Sequence, residues 1–129
     1  MEERESARFE DLLAWRSARE LTARVYQITQ SGQRARDFAL CKQMQRAAVS
    51  TMANLAEGYE RGRPGELHQF VSIAKGACAE VRSHLYAARD AGYLDDETFQ
   101  SVLNQAEETA RLIGGFRVWA ERRKQQEKG

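Results

Sequence analysis

Residues 43–66 read QMQRAAVSTMANLAEGYERGRPGE, and the fold turns on this stretch. Small apolar and polar residues alternate at helical spacing until the pattern breaks at Gly58 and a glycine- and arginine-rich reversal follows. Gln43, Arg46, Ser50, Asn54 and Glu57 recur at intervals of three and four, which puts all five on one face of a helix. Beyond the reversal, Gln69, Ser72, Gly76, Glu80 and Ser83 repeat the same intervals. If the chain doubles back around Arg63, Arg46 lies level with Glu80, Asn54 with Ser72, Glu57 with Gln69 and Ser50 with Gly76. Two readings are open. In one, a polar ladder centred on an Arg46–Glu80 ion pair joins the helices, and Ser50, Gly76, Ala77 and Ala79 permit close approach of the backbones. In the other, both stripes face water on either side of an apolar seam. Neither reading is catalytic.

Working outward, Ala14, Ala18, Leu21, Val25 and Ile28 form an apolar stripe that predicts an amphipathic helix from about Phe9 to Gln30. Gly32 reads as its stop, and Asp37 as the N-cap of a second helix running to about Glu60. Cys41, Met44, Ala48, Thr51, Met52 and Leu55 face inward on that helix. Pro64 suits the first position of a third helix, where its missing N–H costs nothing. The third stripe reads Phe70, Ile73, Ala77, Val81, Leu85 and Ala88. AGYLDD closes it, and Asp95 or Asp96 caps a fourth helix, whose stripe runs from Phe99 through Phe116 towards Ala120. Short connectors favour antiparallel neighbours, so the expected architecture is all-α, an antiparallel up-down four-helix bundle over residues 9–120. Residues 1–8 form a charged N-terminal extension and 121–129 a basic, frayed tail.

At 129 residues with 42% hydrophobic content, the chain fits one domain with a real core. Cys41 and Cys78 lie far apart in sequence and read as small core residues rather than a disulfide or metal pair. The charged N-terminus resembles no signal peptide, and the longest run without polar side chains, Leu112 to Phe116, is too short to span a bilayer. A cytoplasmic protein with no membrane contact is expected. A di-metal carboxylate bundle needs Glu-x-x-His on two helices, yet His68 and His84 stand in no such motif, nor in the zinc spacing His-Glu-x-x-His. Gly-x-Ser-x-Gly is missing, and GYERGRPG lacks the Gly-Lys-Ser/Thr ending of a phosphate loop. The chain therefore reads as no enzyme, with no catalytic residues, cofactor or metal.

The net charge of +1 hides an asymmetry. Residues 34–63 carry six Lys and Arg against three Asp and Glu, and 111–129 six against two, whereas 64–110 carry three against eight. Arg34, Arg36, Lys42, Arg61, Arg63, Arg117, Arg122, Arg123 and Lys124 are the candidate contacts for nucleic acid or a partner. Repeated around a symmetric oligomer, they form a multivalent basic surface. Trp15, Tyr59, Tyr93 and Trp119 are candidates for stacking on bases, with core or interface packing as the alternative.

FEDLLAWRSARELTARVY, QMQRAAVSTMANLAEGYERG, FVSIAKGACAEV and AGYLDDE together resemble the bacterial four-helix-bundle proteins encoded by intervening sequences in large-subunit ribosomal RNA genes. The resemblance spans about Phe9 to Trp119, with NLAEGYERG its most specific part, and extends loosely to the accessory variability determinants of diversity-generating retroelements. It implies a ring-like homopentamer without catalytic activity. By motif position, Arg46, Asn54, Glu57, Gly58 and Glu80 match the family's polar positions and are taken as structural. The expected function is a homo-oligomeric, non-enzymatic adaptor that binds RNA or DNA, or a nucleic-acid enzyme such as a retroelement reverse transcriptase. The alternative is an oligomeric scaffold or protein-binding module without nucleic-acid contact.

Overall fold

The computed structural model describes residues 8–30 and 37–128. A 3-10 turn at Phe9–Asp11 precedes four helices: α1 (Leu13–Thr29), α2 (Phe38–Arg61), α3 (Pro64–Asp90) and α4 (Asp96–Lys128). Strands are absent among the described residues. Each helix packs on its neighbour in sequence, and α4 closes the ring against α1. Cross-links fix the directions. Ser17 meets Thr109 and Arg24 meets Ser101, so α1 and α4 are antiparallel. Thr22 reaches the Ala48 carbonyl and Cys41 that of Thr29, which makes α1 and α2 antiparallel too. Arg117 reaches Ser72 while Cys78 reaches the Ala106 carbonyl, orienting α4 against α3. The expected up-down four-helix bundle is what forms.

Local chemistry sets the helix ends. Asp37 caps α2, its carboxylate accepting from the Leu40 N–H at 3.1 Å. Gly62 ends α2 in the left-handed region (φ 75°), a conformation that favours glycine. Pro64 starts α3, and Asp95 rather than Asp96 caps α4 by accepting from the Thr98 N–H at 2.7 Å. Gly32 lies outside the described residues.

Four expectations shift. The first helix begins at Leu13 rather than Phe9, because Leu12 is extended (ψ 127°) and fully buried. Gly58 does not break the second helix but sits inside it, buried. The start of the α3 stripe shifts: Leu67, Val71 and Ala74 face the core in place of Phe70 and Ile73, the latter 46% exposed, while Ala77, Val81, Leu85 and Ala88 are buried as expected. Finally, α4 continues through Lys128 where a frayed tail was expected after Ala120. Ala120 is fully buried, and Glu121 accepts contacts from both His68 and Gln125, so this last segment has reasons to stay helical. The core is aliphatic with Phe99 and Phe116 at the α4 side. Buried Thr22, Thr29, Thr51 and Thr109 each donate their hydroxyl to the carbonyl one turn back, so burial leaves none of them unsatisfied.

Candidate nucleic-acid interface

The polar stripes of α2 and α3 do not form a ladder. Arg46 and Glu80 are both exposed and make no ion pair with each other. Asn54 donates to the Ser50 carbonyl and hydroxyl within its own helix. Glu57 accepts from Arg61 at 2.8 Å, also within α2. Gly76 faces open space, so it admits no close approach. The seam beneath is apolar, and the stripes flank it on the water side, as in the second of the two sequence readings. The physical reason is helical phase: Ala47, Ala48, Thr51 and Leu55 on α2 and Leu67, Val71, Ala74 and Cys78 on α3 take the contact, leaving the polar positions outside. Close approach occurs instead at Gly58, where an added Cβ would come within 2.7 Å of the Phe70 Cβ.

One clasp does join the two helices. Arg61 bridges Glu57 at 2.8 Å and Glu66 at 3.0 Å, with its guanidinium over the Phe70 ring at 4.9 Å. These hydrogen bonds, to Glu57 first and then Glu66, push the Arg61 pKa upward. Arg61 is thus committed to the turn rather than free for an external anion.

Antiparallel packing gathers the starts of α1 and α3 and the ends of α2 and α4 at one end of the bundle. There Arg63 is 82% exposed, with Glu66 no nearer than 3.9 Å. Arg122, Arg123 and Lys124 make no ion pair among the described residues. Arg123 lies over Trp119 at 5.2 Å, while Arg117 is tied inward, donating from Nε to Ser72 at 2.9 Å. Lys42 sits elsewhere, about 28 Å along α2 from Arg61 at roughly 1.5 Å per residue. Arg34 and Arg36 lie outside the described residues. Sequence reasoning missed Arg19, which lies over Trp15 at 5.8 Å and has no ion pair among the described residues; with Ser17 opposite Thr109, it stands part-way along α1 and apart from the end of α4. The basic end is not uniformly positive, since Glu10, Asp11, Glu57, Glu60, Glu66 and Glu121 also stand there; the opposite end carries Asp37, Asp90, Asp95, Asp96 and Glu97.

The four aromatic candidates divide. Tyr93 donates its hydroxyl to Asp37 at 3.1 Å, a bond that raises its pKa. Trp15 packs edge-on against Phe9 at 5.1 Å. Tyr59 and Trp119 instead line a cleft with Gly62, Pro64, Leu67 and Arg123 at the basic end. Burial, then Asp11 and Glu60, push the Tyr59 hydroxyl pKa up, so it remains a protonated donor near neutrality. Cys78 is no thiolate either: burial drives its pKa from 9.0 to about 11. Among the described residues no three His, Cys, Asp or Glu side chains come together as a metal site requires, and no helix is long and apolar enough to cross a membrane.

A family model described as 23S rRNA-intervening sequence protein matches residues 10–115. The chain belongs to this family. Among solved structures it is similar to a protein of unknown function from the S23 ribosomal protein family of Bacteroides thetaiotaomicron. That likeness has a TM-score of 0.74 at 20% sequence identity and covers 81% of this chain and 97% of the other. At that identity it speaks for the fold. No curated protein matches the chain. The matched region holds the Gly58 contact and the Arg61 clasp but stops before Trp119, Arg122, Arg123 and Lys124. Half of the candidate interface therefore lies past the segment that the family model describes.

Proposed function

We propose that this protein is a non-enzymatic, homo-oligomeric adaptor that binds single-stranded nucleic acid at the Arg63–Arg123 end of the bundle. The observation that carries the reading is the meeting of Arg63, Arg122, Arg123 and Lys124 with Tyr59 and Trp119 at one end, from segments far apart in sequence. Cations supply sequence-independent affinity for phosphate, and aromatic faces supply stacking. The retroelement likeness adds a partner class, a nucleic-acid enzyme such as a reverse transcriptase working on the same strand.

About four phosphate contacts per subunit give a log–log salt slope near −3 for a single strand. Titration of labelled single-stranded RNA and DNA at rising salt measures it. Reversal of Arg122, Arg123 and Lys124 to Glu abolishes binding, whereas Lys42→Glu, at the far end, changes it little. Absence of binding at low salt, or indifference to the triple reversal, removes the reading.

A scaffold without nucleic acid has its own support. Arg46 and Glu80 have opposite charge, neither makes an ion pair among the described residues, and they share the outer α2–α3 face with exposed Ile73. That face suits a second copy, and the family resemblance gives five as the number of copies in a ring.

A further inference from the structure

We propose that the cleft between Tyr59 and Trp119 holds one unpaired nucleobase, with Arg63 and Arg123 taking the phosphates on either side. The proposal rests on the nucleic-acid reading and names the ligand chemistry of its centre. The cleft measures about 290 Å³. That is at the small end of ligand pockets, which run about 300–1,000 Å³, and suits one heterocycle rather than a large molecule.

It is lined by the two rings together with Pro64 and Leu67, the latter 7% exposed. Phe116 stacks on Trp119 with centroids 5.6 Å apart and planes within 13°, and Phe116 is itself fully buried, so the indole is held from the core side. On Trp119 the other ring contact is the exposed Arg123 guanidinium, a planar cation resting where a planar base can rest. At an exposed site that contact is weak, so the guanidinium moves off readily towards a phosphate.

The polar tips decide for a base over a plain hydrocarbon. Neither the Tyr59 hydroxyl nor the Trp119 indole N–H makes a hydrogen bond among the described residues, and neither is sealed from water. Both are donors, fitting the carbonyl and ring-nitrogen acceptors on a base edge. Tyr93, by contrast, has its hydroxyl engaged by Asp37. Arg63, 82% exposed, lies between the lining residues Gly62 and Pro64 in sequence.

The test compares wild-type protein binding a short oligouridylate and an abasic phosphodiester of equal length and charge. The base-bearing strand is expected to bind about tenfold more tightly, the worth of one stacked base. In Trp15→Phe, where Trp119 is the remaining tryptophan of two, the oligouridylate should quench the fluorescence and the abasic strand should not. Circular dichroism checks that this variant folds; the affinity comparison needs no variant. Equal affinity of the two strands overturns the cleft while leaving the nucleic-acid reading standing. If neither strand binds at low salt, both fall. An acidic proline-rich peptide that quenches Trp119 where oligouridylate does not assigns the cleft to a protein ligand instead and overturns the proposal.

Discussion

Gly58 and Gly76 lie on neighbouring helices, and their surroundings set opposite responses to the same substitution. A Cβ at Gly58 meets the Phe70 Cβ at 2.7 Å, so Gly58→Ala must push α2 and α3 apart. Overpacking of this kind costs about 1–3 kcal/mol. Gly76 has nothing within 4 Å, so Gly76→Ala should gain about 0.5–1 kcal/mol from helix propensity alone. Urea denaturation of both variants checks the contrast, and equal responses would refute the close approach. Cys78 provides a second test at this scale. Its folded pKa, about 11, stands above the usual 9.0 because burial disfavours the thiolate. The unfolded chain thus loses the Cys78 proton first as pH rises, so its contribution is full below 9.0 and is lost through about 11. The loss is on the order of 2 kcal/mol, and Cys78→Ala should flatten that part of the pH profile despite lower stability at pH near 8. Neither feature was fully legible beforehand: the sequence marks Gly58 as a break, whereas its neighbour across the seam explains it.

Among the elements, α1 and α4 share a buried side-chain hydrogen bond, whereas the α2–α3 clasp of Arg61 is exposed. Ser17 and Thr109 share a hydrogen bond at 2.7 Å across 92 residues, both buried, and Gln105 donates to the Ser17 hydroxyl at 3.1 Å. Arg24 adds a bond to the Ser101 carbonyl at 3.2 Å. A double-mutant cycle on Ser17→Ala and Thr109→Val should give a coupling of about 1 kcal/mol, from loss of a shared buried bond. A coupling near zero would mean that each hydroxyl is satisfied by its other partner. The periodicity of α1 and α2 was readable because both keep a clear apolar face. The start of the α3 stripe was misjudged because Phe70 and Ile73 are large and apolar but sit at the edge of the seam, with small Ala74 and Cys78 at its centre. Residue size misled where phase decided.

For the whole molecule, Arg46 and Glu80, which make no ion pair among the described residues, lead to a prediction about assembly. Arg46→Glu should shift sedimentation towards smaller species, and the exchange Arg46→Glu with Glu80→Arg should restore the larger one. Unchanged sedimentation in the single variant would place self-association on another face. The sequence by itself determined the four helices, the turn at Gly62–Pro64, the cap at Asp37 and the family to which the chain belongs. These are local matters, governed by side-chain phase and backbone geometry within a turn or two. Only the tertiary structure decided which polar groups meet, which cations are already bound by carboxylates and which aromatic residues share a cleft. Those outcomes depend on antiparallel packing of segments separated by most of the chain. That packing brings Tyr59 to Trp119 and leaves Arg46 apart from Glu80, because buried apolar area rather than matching polar spacing sets the seam.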